Sequence, residues 1–409
     1  MVVGPYRGLF GMPGVKGFVI AGFIGRLPMA MLGIGTVLLV SAVTGSYATA
    51  GGVSAMGSLM FAAAAPVTGR LTDRFGQSRV LVPLALLHGV ALSSLLLSAH
   101  LRAPDAALYL AGMATGATAP ALGPMVRARW SHVLKDKDPG KLHTAFSFES
   151  VVDETIFISG PALVSALAAT VNVYAGLIAA IAFTLAGALT LASFRGTEPP
   201  VVRETGKRHG TPIAIPGVAL LTVVFLGVGS VFGSIDLITV GFAEEQGHRG
   251  AAGFMLALIA SGSAISGLWY GSRAWRIPLH TRFVRTLTLF ALGLIPVTLM
   301  EQVRPMLVAL FVAGLSISPT LITGFSLVQR LVPAGQLTEG MAWLSTAIGF
   351  GVALGSWAGG WLTDAYGAHN AYAFSFGCAL LAAVVGMAGS ALVRVDETGE
   401  LPHGQSGGS

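Results

Sequence analysis

Apolar residues occur in this 409-residue chain in runs long enough to cross a bilayer, one after another along its whole length. The hydrocarbon core of a membrane is about 30 Å thick and a helix rises about 1.5 Å per residue, so about 20 apolar residues span it. Twelve runs can be drawn, at 17–43, 48–68, 80–99, 104–126, 142–169, 173–194, 213–243, 250–271, 281–300, 303–326, 334–363 and 369–393. In lipid every backbone N–H and C=O must be satisfied within the protein, which makes these runs helices. The expected fold is therefore an all-α membrane protein of twelve transmembrane helices, with too little remaining chain for a soluble domain. Only 10% of the residues are charged, against about 25% in soluble domains. The first run is too long for a signal-peptide core and no small-residue cleavage pattern follows it. The single cysteine, Cys378, excludes an internal disulfide.

The formal charge of +6 is explained by where the cations fall. With the N-terminus inside, the outer loops hold only Arg102, Arg249 and Arg304, and Arg26 lies within a span. The other lysines and arginines gather at inner loops and helix ends, the positive-inside pattern of a multi-pass protein of the cytoplasmic membrane with both termini inside. Lipid is the partner this charge implies; no nucleic acid is needed.

The longest polar interruption, 195–212, reads as a cytoplasmic linker. It divides the chain into a six-helix bundle at 1–194 and another at 213–394, followed by a disordered polar tail at 395–409. An offset of 195 residues lays Phe148-Glu149-Ser150 over Trp343-Leu344-Ser345 and Gly160 over Gly355. The two bundles are thus expected to be pseudo-symmetric, as in transporters built from internal repeats around a central site. Gly351, Gly355 and Gly359 recur every fourth residue on one face of the eleventh span, a close-packing face first and a sliding surface second.

Between the second and third spans lies Gly69-Arg70-Leu71-Thr72-Asp73-Arg74-Phe75-Gly76-Gln77-Ser78-Arg79. It resembles the G-x-L-x-D-R-x-G-R-R-R signature of the major facilitator superfamily at Gly69, Leu71, Asp73, Arg74, Gly76 and Arg79, and departs from it at Gln77 and Ser78. The resemblance implies a secondary transporter working by alternating access, with this loop latching the outward-facing state. Arg127, at the inner end of the fourth span, is the candidate partner for Asp73. The alternative is that these charges only fix topology. The equivalent loop of the second half, 267–276, lacks the Asp, so a latch would be asymmetric.

Charge inside the bilayer is the other informative feature. The fifth span carries Glu149, Asp153 and Glu154, and each charge at the bilayer centre costs about 2.5–3.5 kcal/mol on insertion scales. Glu149 and Asp153, four apart, share a face; Glu154 points about 100° away from Asp153. Arg26 lies at a similar depth in the first span and is expected to face Glu149 or Asp153. Three acids against one arginine leave an excess, and a carboxylate without a cation can load and release a proton. A fixed salt-bridge cluster tethering the first and fifth helices is the competing reading. Asp236, near Gly227, Gly229 and Gly233 in the seventh span, is a further candidate, because the resemblance places that helix at the central cavity. His88, in the third span, which the resemblance makes peripheral, is read as a satisfied or interfacial histidine rather than a proton carrier.

Gly160-Pro161 in the fifth span resembles part of the antiporter motif of the superfamily's drug exporters. The paired glycines that should follow are absent, as is the fourth-span arginine of drug–proton antiporters. The leading expectation is a monomeric, proton-coupled antiporter exporting a small organic molecule, with no cofactor beyond the proton gradient. Proton-coupled uptake of a metabolite is the alternative within the class, and a non-transporting sensor the alternative outside it. An enzyme is not expected, since no metal-binding His-Glu pattern, nucleophile elbow or phosphate-binding glycine loop occurs.

Overall fold

In the computed structural model the described residues are 4–135, 137, 139–201, 210–248 and 251–394. The tail at 395–409 and most of the polar linker lie outside them. Among the described residues the chain is helical throughout: α1 (Gly4–Phe10), α2 (Val15–Thr44), α3 (Tyr47–Phe75), α4 (Gln77–His100), α5 (Asp105–Thr118), α6 (Leu122–Val133), α7 (Pro139–Thr170) and α8 (Ala175–Ser193), then α9 (Pro216–Glu245), α10 (Ala252–Gly271), α11 (Leu279–Leu299), α12 (Val303–Gly314), α13 (Ile317–Leu331), α14 (Leu337–Tyr366) and α15 (Ala368–Ala388).

Eleven of the expected crossings are long and apolar enough to span a membrane. The expected continuous fourth span is corrected: it is two helices, α5 and α6, neither long enough alone. Pro120 is the cause. It has no N–H to donate, and it drives Ala119 into an extended conformation at ψ 124°. The tenth span is interrupted at the corresponding place in the second half, where Leu315 and Ser316 separate α12 from α13 just before Pro319. Interruptions at matching positions of two repeats are the membrane-protein pointer to a binding site.

Helices before the linker pack chiefly on one another, as do those after it. The most extensively packed helix pair is α9 with α14. A Cβ on Gly351 or Gly355 would overlap the carbonyl oxygens of Leu226 or Ser230, and one on Gly359 would come within 3.1 Å of Ser234 Cα. In the first half Gly160 occupies the equivalent kind of position, 2.7 Å from the Ala30 methyl if it carried a Cβ, so the Gly160-Pro161 stretch of α7 lies against α2 next to its own Pro28.

The halves meet mainly at one end, the face that carries α1, the 69–79 loop and the linker. Cross-half hydrogen bonds run there from Tyr6 Oη to the Leu268 carbonyl (2.9 Å), from Thr144 Oγ1 to Gly271 O (2.7 Å) and from Thr346 Oγ1 to Ala62 O (2.9 Å). Burial pushes the Tyr6 hydroxyl up to about 12, so it remains a donor at any physiological pH. Core packing follows the same division. One apolar cluster runs from the linker end of the first half through the second half, and a separate cluster around Met31, Leu39, Leu95 and Leu177 fills the far end of the first half. The two lobes are joined at the linker face and separately cored at the opposite one.

The glycine seam is testable. Gly355→Ala should cost about 1–3 kcal/mol of stability, the usual range for overpacking. Gly349→Ala, where an added Cβ meets open space, should be neutral or slightly stabilising. Thermal unfolding of the two purified variants checks the contrast.

Candidate functional site

Helix α7 presents its acids to three different neighbours. Glu149 is fully buried, and its Oε2 lies 2.7 Å from Arg26 Nη2 while its Oε1 accepts the Trp130 indole N–H at 2.7 Å. Asp153, one turn on, takes Arg26 Nη1 on Oδ1 at 2.9 Å and Arg127 Nη2 on Oδ2 at 2.6 Å. Arg26 also donates from Nε to the Gly22 carbonyl of its own helix (3.0 Å). Two guanidinium groups and two carboxylates thus alternate across α2, α6 and α7. Trp130 closes the cluster, packed edge-on against Phe18 at 5.0 Å. Such a cluster is held against a high desolvation cost, and its members become liabilities when separated.

Two expectations change here. Arg26 was expected to face one of Glu149 and Asp153; it contacts both. Arg127 is not the partner of Asp73: it is bonded to Asp153, and its Cζ sits 4.2 Å over the Phe325 ring of α13 in the other half. The Pro120 break accounts for this, because α6 restarts at Leu122 and Arg127 lies in its second turn, within reach of α7. A second arginine also halves the excess negative charge that three acids against one arginine implied.

Of the three α7 acids, Glu154 is the one left without a cation among the described residues. It points away from the cluster to α10, where its Oε1 accepts the Ser263 hydroxyl at 2.6 Å. Ser263 is in turn 2.9 Å from Ser318, in the first turn of α13 immediately after the second-half interruption. The polar chain Glu154–Ser263–Ser318 therefore crosses from one half to the other and ends at the broken tenth helix. Asp236 is exposed on α9 and lies within electrostatic reach of Glu154, as does Asp153. Ser263 and Ser318 were not singled out from sequence, since lone serines in apolar helices usually bond back to their own backbone.

The 69–79 loop is built on a different interaction. Asp73 accepts the backbone N–H groups of Thr338 (3.1 Å) and Glu339 (2.9 Å). These are free donors in the first turn of α14, and the helix dipole adds to the attraction. A Cβ on Gly69 would come within 2.8 Å of Glu339 Cα, so the two helix ends touch. Gly76 has φ 93°, which a side chain would strain, and it turns the chain directly from α3 into α4. Arg74 and Arg79 are exposed, Arg74 lying over the Phe75 ring at 5.1 Å.

Gln77 and Ser78, where the superfamily signature has basic residues, are both engaged. Gln77 Oε1 accepts Arg129 Nε at 2.6 Å, and its amide donates to the Met125 carbonyl. Glu198, at the start of the linker, accepts from the Ser78 N–H at 3.0 Å and from its hydroxyl. Arg129 is fully buried. A basic residue at 77 would set two buried cations together, so the neutral amide is the physically consistent choice here. His88 is buried with Nδ1 3.0 Å from the Thr115 carbonyl, the satisfied packing role expected of it.

Removing one partner from a buried ion pair typically costs about 3–5 kcal/mol. Arg26→Leu should therefore destabilise the protein by about that amount, and Arg26→Leu/Glu149→Leu should recover a substantial part of the loss; unfolding of the single and double variants measures the coupling. At the loop, Asp73→Ala removes a helix cap, worth about 1–2 kcal/mol. It should shift the joined linker face toward separation by about 5- to 30-fold, read as a broadened distance distribution between spin labels at the ends of α3 and α14.

The comparisons with known proteins bear on the family and the fold. The family model described as Major Facilitator Superfamily matches residues 18–303 and 241–407. Among curated proteins none gives a significant match. Similar solved structures include the human organic anion transporter MFSD10 (TETRAN), with 16% identity over 92% of this chain and 100% of that one and a TM-score of 0.72. A bacterial homologue of the iron transporter ferroportin in an outward-facing state has 18% identity over 91% and 98% of the two chains, TM-score 0.71. FucP in its outward conformation has 12% identity over 90% and 97%, TM-score 0.68. At these identities the structural likeness speaks for the fold, and the family match speaks for descent: this chain belongs to the major facilitator superfamily and is an integral, multi-pass membrane transporter rather than an enzyme.

Proposed function

We propose that the protein exports a small organic molecule in exchange for protons, with Glu154 as the group that carries the proton. The observation behind this is the distribution of cations. Arg26 and Arg127 are both committed to Glu149 and Asp153, whereas Glu154 holds only a serine hydroxyl and stands where the two halves touch. A carboxylate in that position favours the neutral form while the halves are joined and the charged form when water or a substrate reaches it. Loading and release of the proton would thus be tied to the rocking of one half against the other. Asp153 and Asp236, within electrostatic reach, would raise or lower the cost of the charge as they move.

Asp73 on the α14 N-terminus would hold the linker face shut in the state described above. With the linker and both termini cytoplasmic, as the cation distribution favours, that state is open to the outside. The transporter would work as a monomer with the proton gradient as its only driving force. A membrane potential adds about 2.3 kcal/mol per charge per 100 mV if the exchange moves net charge.

The test begins with a compound that raises the thermal midpoint of the purified protein, since specific ligands stabilise by mass action. In proteoliposomes loaded with that compound, its departure should acidify the side it leaves. Glu154→Gln should abolish the proton movement while leaving substrate counterflow within a few-fold of wild type. Undiminished proton movement in Glu154→Gln rules out the assignment, and alkalinisation of the side the compound leaves points to uptake symport instead.

A further inference from the structure

The linker face of the second half contains a cation for which the described residues provide no ion-pair partner. Arg282 is half-buried in the first turn of α11, and its Nε and Nη1 are sealed from solvent without an acceptor among the described residues. The Tyr270 hydroxyl, on a side chain only 3% exposed, lies against this guanidinium and has no other partner among the described residues. Ion pairs among the described residues involve Arg26 and Arg127 alone. Guanidinium nitrogens withdrawn from water without a counter-charge are costly to bury. The cation–π contact to Trp275 is long, 5.9 Å from Cζ to the ring centre.

The surroundings deepen the positive potential. Helix α11 starts at Leu279 with Pro278 as its cap, no capping side chain and no acid in the first turn, so its free N–H groups and dipole add to the charge of Arg282. Arg273, Arg276 and Arg285 are exposed around the same helix start. Aromatic rings wall the place in: Tyr270 and Trp275 lie 4.6 Å apart, and Trp269, itself exposed, carries Arg273 over its face at 5.2 Å. The other half supplies His143. Its ring packs 5.0 Å from Tyr270, its Nε2 bonds the Tyr270 carbonyl at 3.1 Å, and it lies within electrostatic reach of Arg282. With Nε2 as the donor in that bond, Nδ1 is left as an acceptor.

We propose that Arg282, Tyr270 and the start of α11 form a binding site for a phosphate group, carried by an anionic phospholipid or free in solution. The guanidinium offers two donors, the tyrosine hydroxyl a third and the helix start more, the fork-and-cradle arrangement that suits phosphate oxygens. Exposed arginines and a tryptophan at a membrane-interface level suit a headgroup in the anionic leaflet. Because His143 belongs to the opposite half, an occupied site stiffens the seam in its joined form.

The experiment measures the thermal midpoint of the full-length protein in nanodiscs of phosphatidylcholine alone, in nanodiscs with added phosphatidylglycerol, and in phosphatidylcholine with inorganic phosphate. A rise with phosphatidylglycerol only assigns the site to lipid; a rise with phosphate as well assigns it to the free anion too. Arg282→Gln should lose the rise, Arg282→Lys should keep part of it, and Arg304→Gln, exposed beyond the far end of α11 at the start of α12, should leave it intact. In titrations the Gln variant should need at least tenfold more of the effective anion. The proposal is overturned if the wild type responds to neither anion, or if Arg282→Gln responds as the wild type does. If Arg282→Gln does not fold, a weakened response in Arg282→Lys decides for the site and a wild-type response in it decides against. Each readout is binding, so the result is independent of whether Glu154 carries a proton.

Discussion

A charge placed in hydrocarbon must find its complement inside the protein, and the arrangement of this bundle around α7 follows from that requirement. One helix carries Glu149, Asp153 and Glu154. Two of them are neutralised by arginines delivered from α2 and α6, which ties those helices to α7 within the first half. The third points 100° away and has to be accommodated by the other half. A helix with this pattern cannot be satisfied within one lobe, so the seam between lobes runs past it. Arg127 reinforces the point: its charge serves Asp153 in the first half while its face rests on Phe325 in the second.

The interrupted helices give that seam its geometry. Continuous α-helices at the fourth and tenth positions would carry Arg127 and Ser318 around to other faces. Pro120 releases α6 to turn its second-turn arginine toward α7, and the Leu315–Ser316 break places Ser318 in a fresh first turn beside Ser263. The same proline chemistry that would damage a soluble helix thus positions a charged group and a hydroxyl at the centre of a membrane protein, where neighbouring helices absorb the lost backbone bonds.

Much of this was legible in the amino-acid sequence, for definable reasons. Length and hydropathy reveal spans because lipid permits so few alternatives, and the 69–79 loop shows its kinship because Gly69, Asp73 and Gly76 each do something only that residue type does well. The proximity of Arg26 to Glu149 and Asp153 followed from depth alone: a buried cation needs an anion at its own level. What stayed hidden depended on rotation and on helix breaks. Arg127 sits by count at an inner helix end, where an arginine ordinarily marks topology, and only the kink at Pro120 turns it inward. The true partner of Asp73 is a pair of backbone N–H groups, which no side-chain pattern announces. Ser263 and Ser318 look like ordinary helix serines until the tertiary fold brings them to Glu154.

The two kinds of cross-half contact differ in how they respond to separation, and that difference suits alternation between states. Asp73 on the start of α14 is a half-buried carboxylate on a helix terminus at the linker face, so parting of the halves lets hydration compensate part of its loss on both sides. The Glu154–Ser263 bond lies deeper, and breaking it leaves a carboxylate that must ionise into water, take a new partner or keep a proton. The outer contact therefore sets how readily the lobes part, while the inner one sets what chemical event accompanies the parting. A bundle with only the first would rock without consequence, and one with only the second would lack a hold near the surface. With both in series, the same movement that releases a helix cap decides the state of an acid in the middle of the membrane.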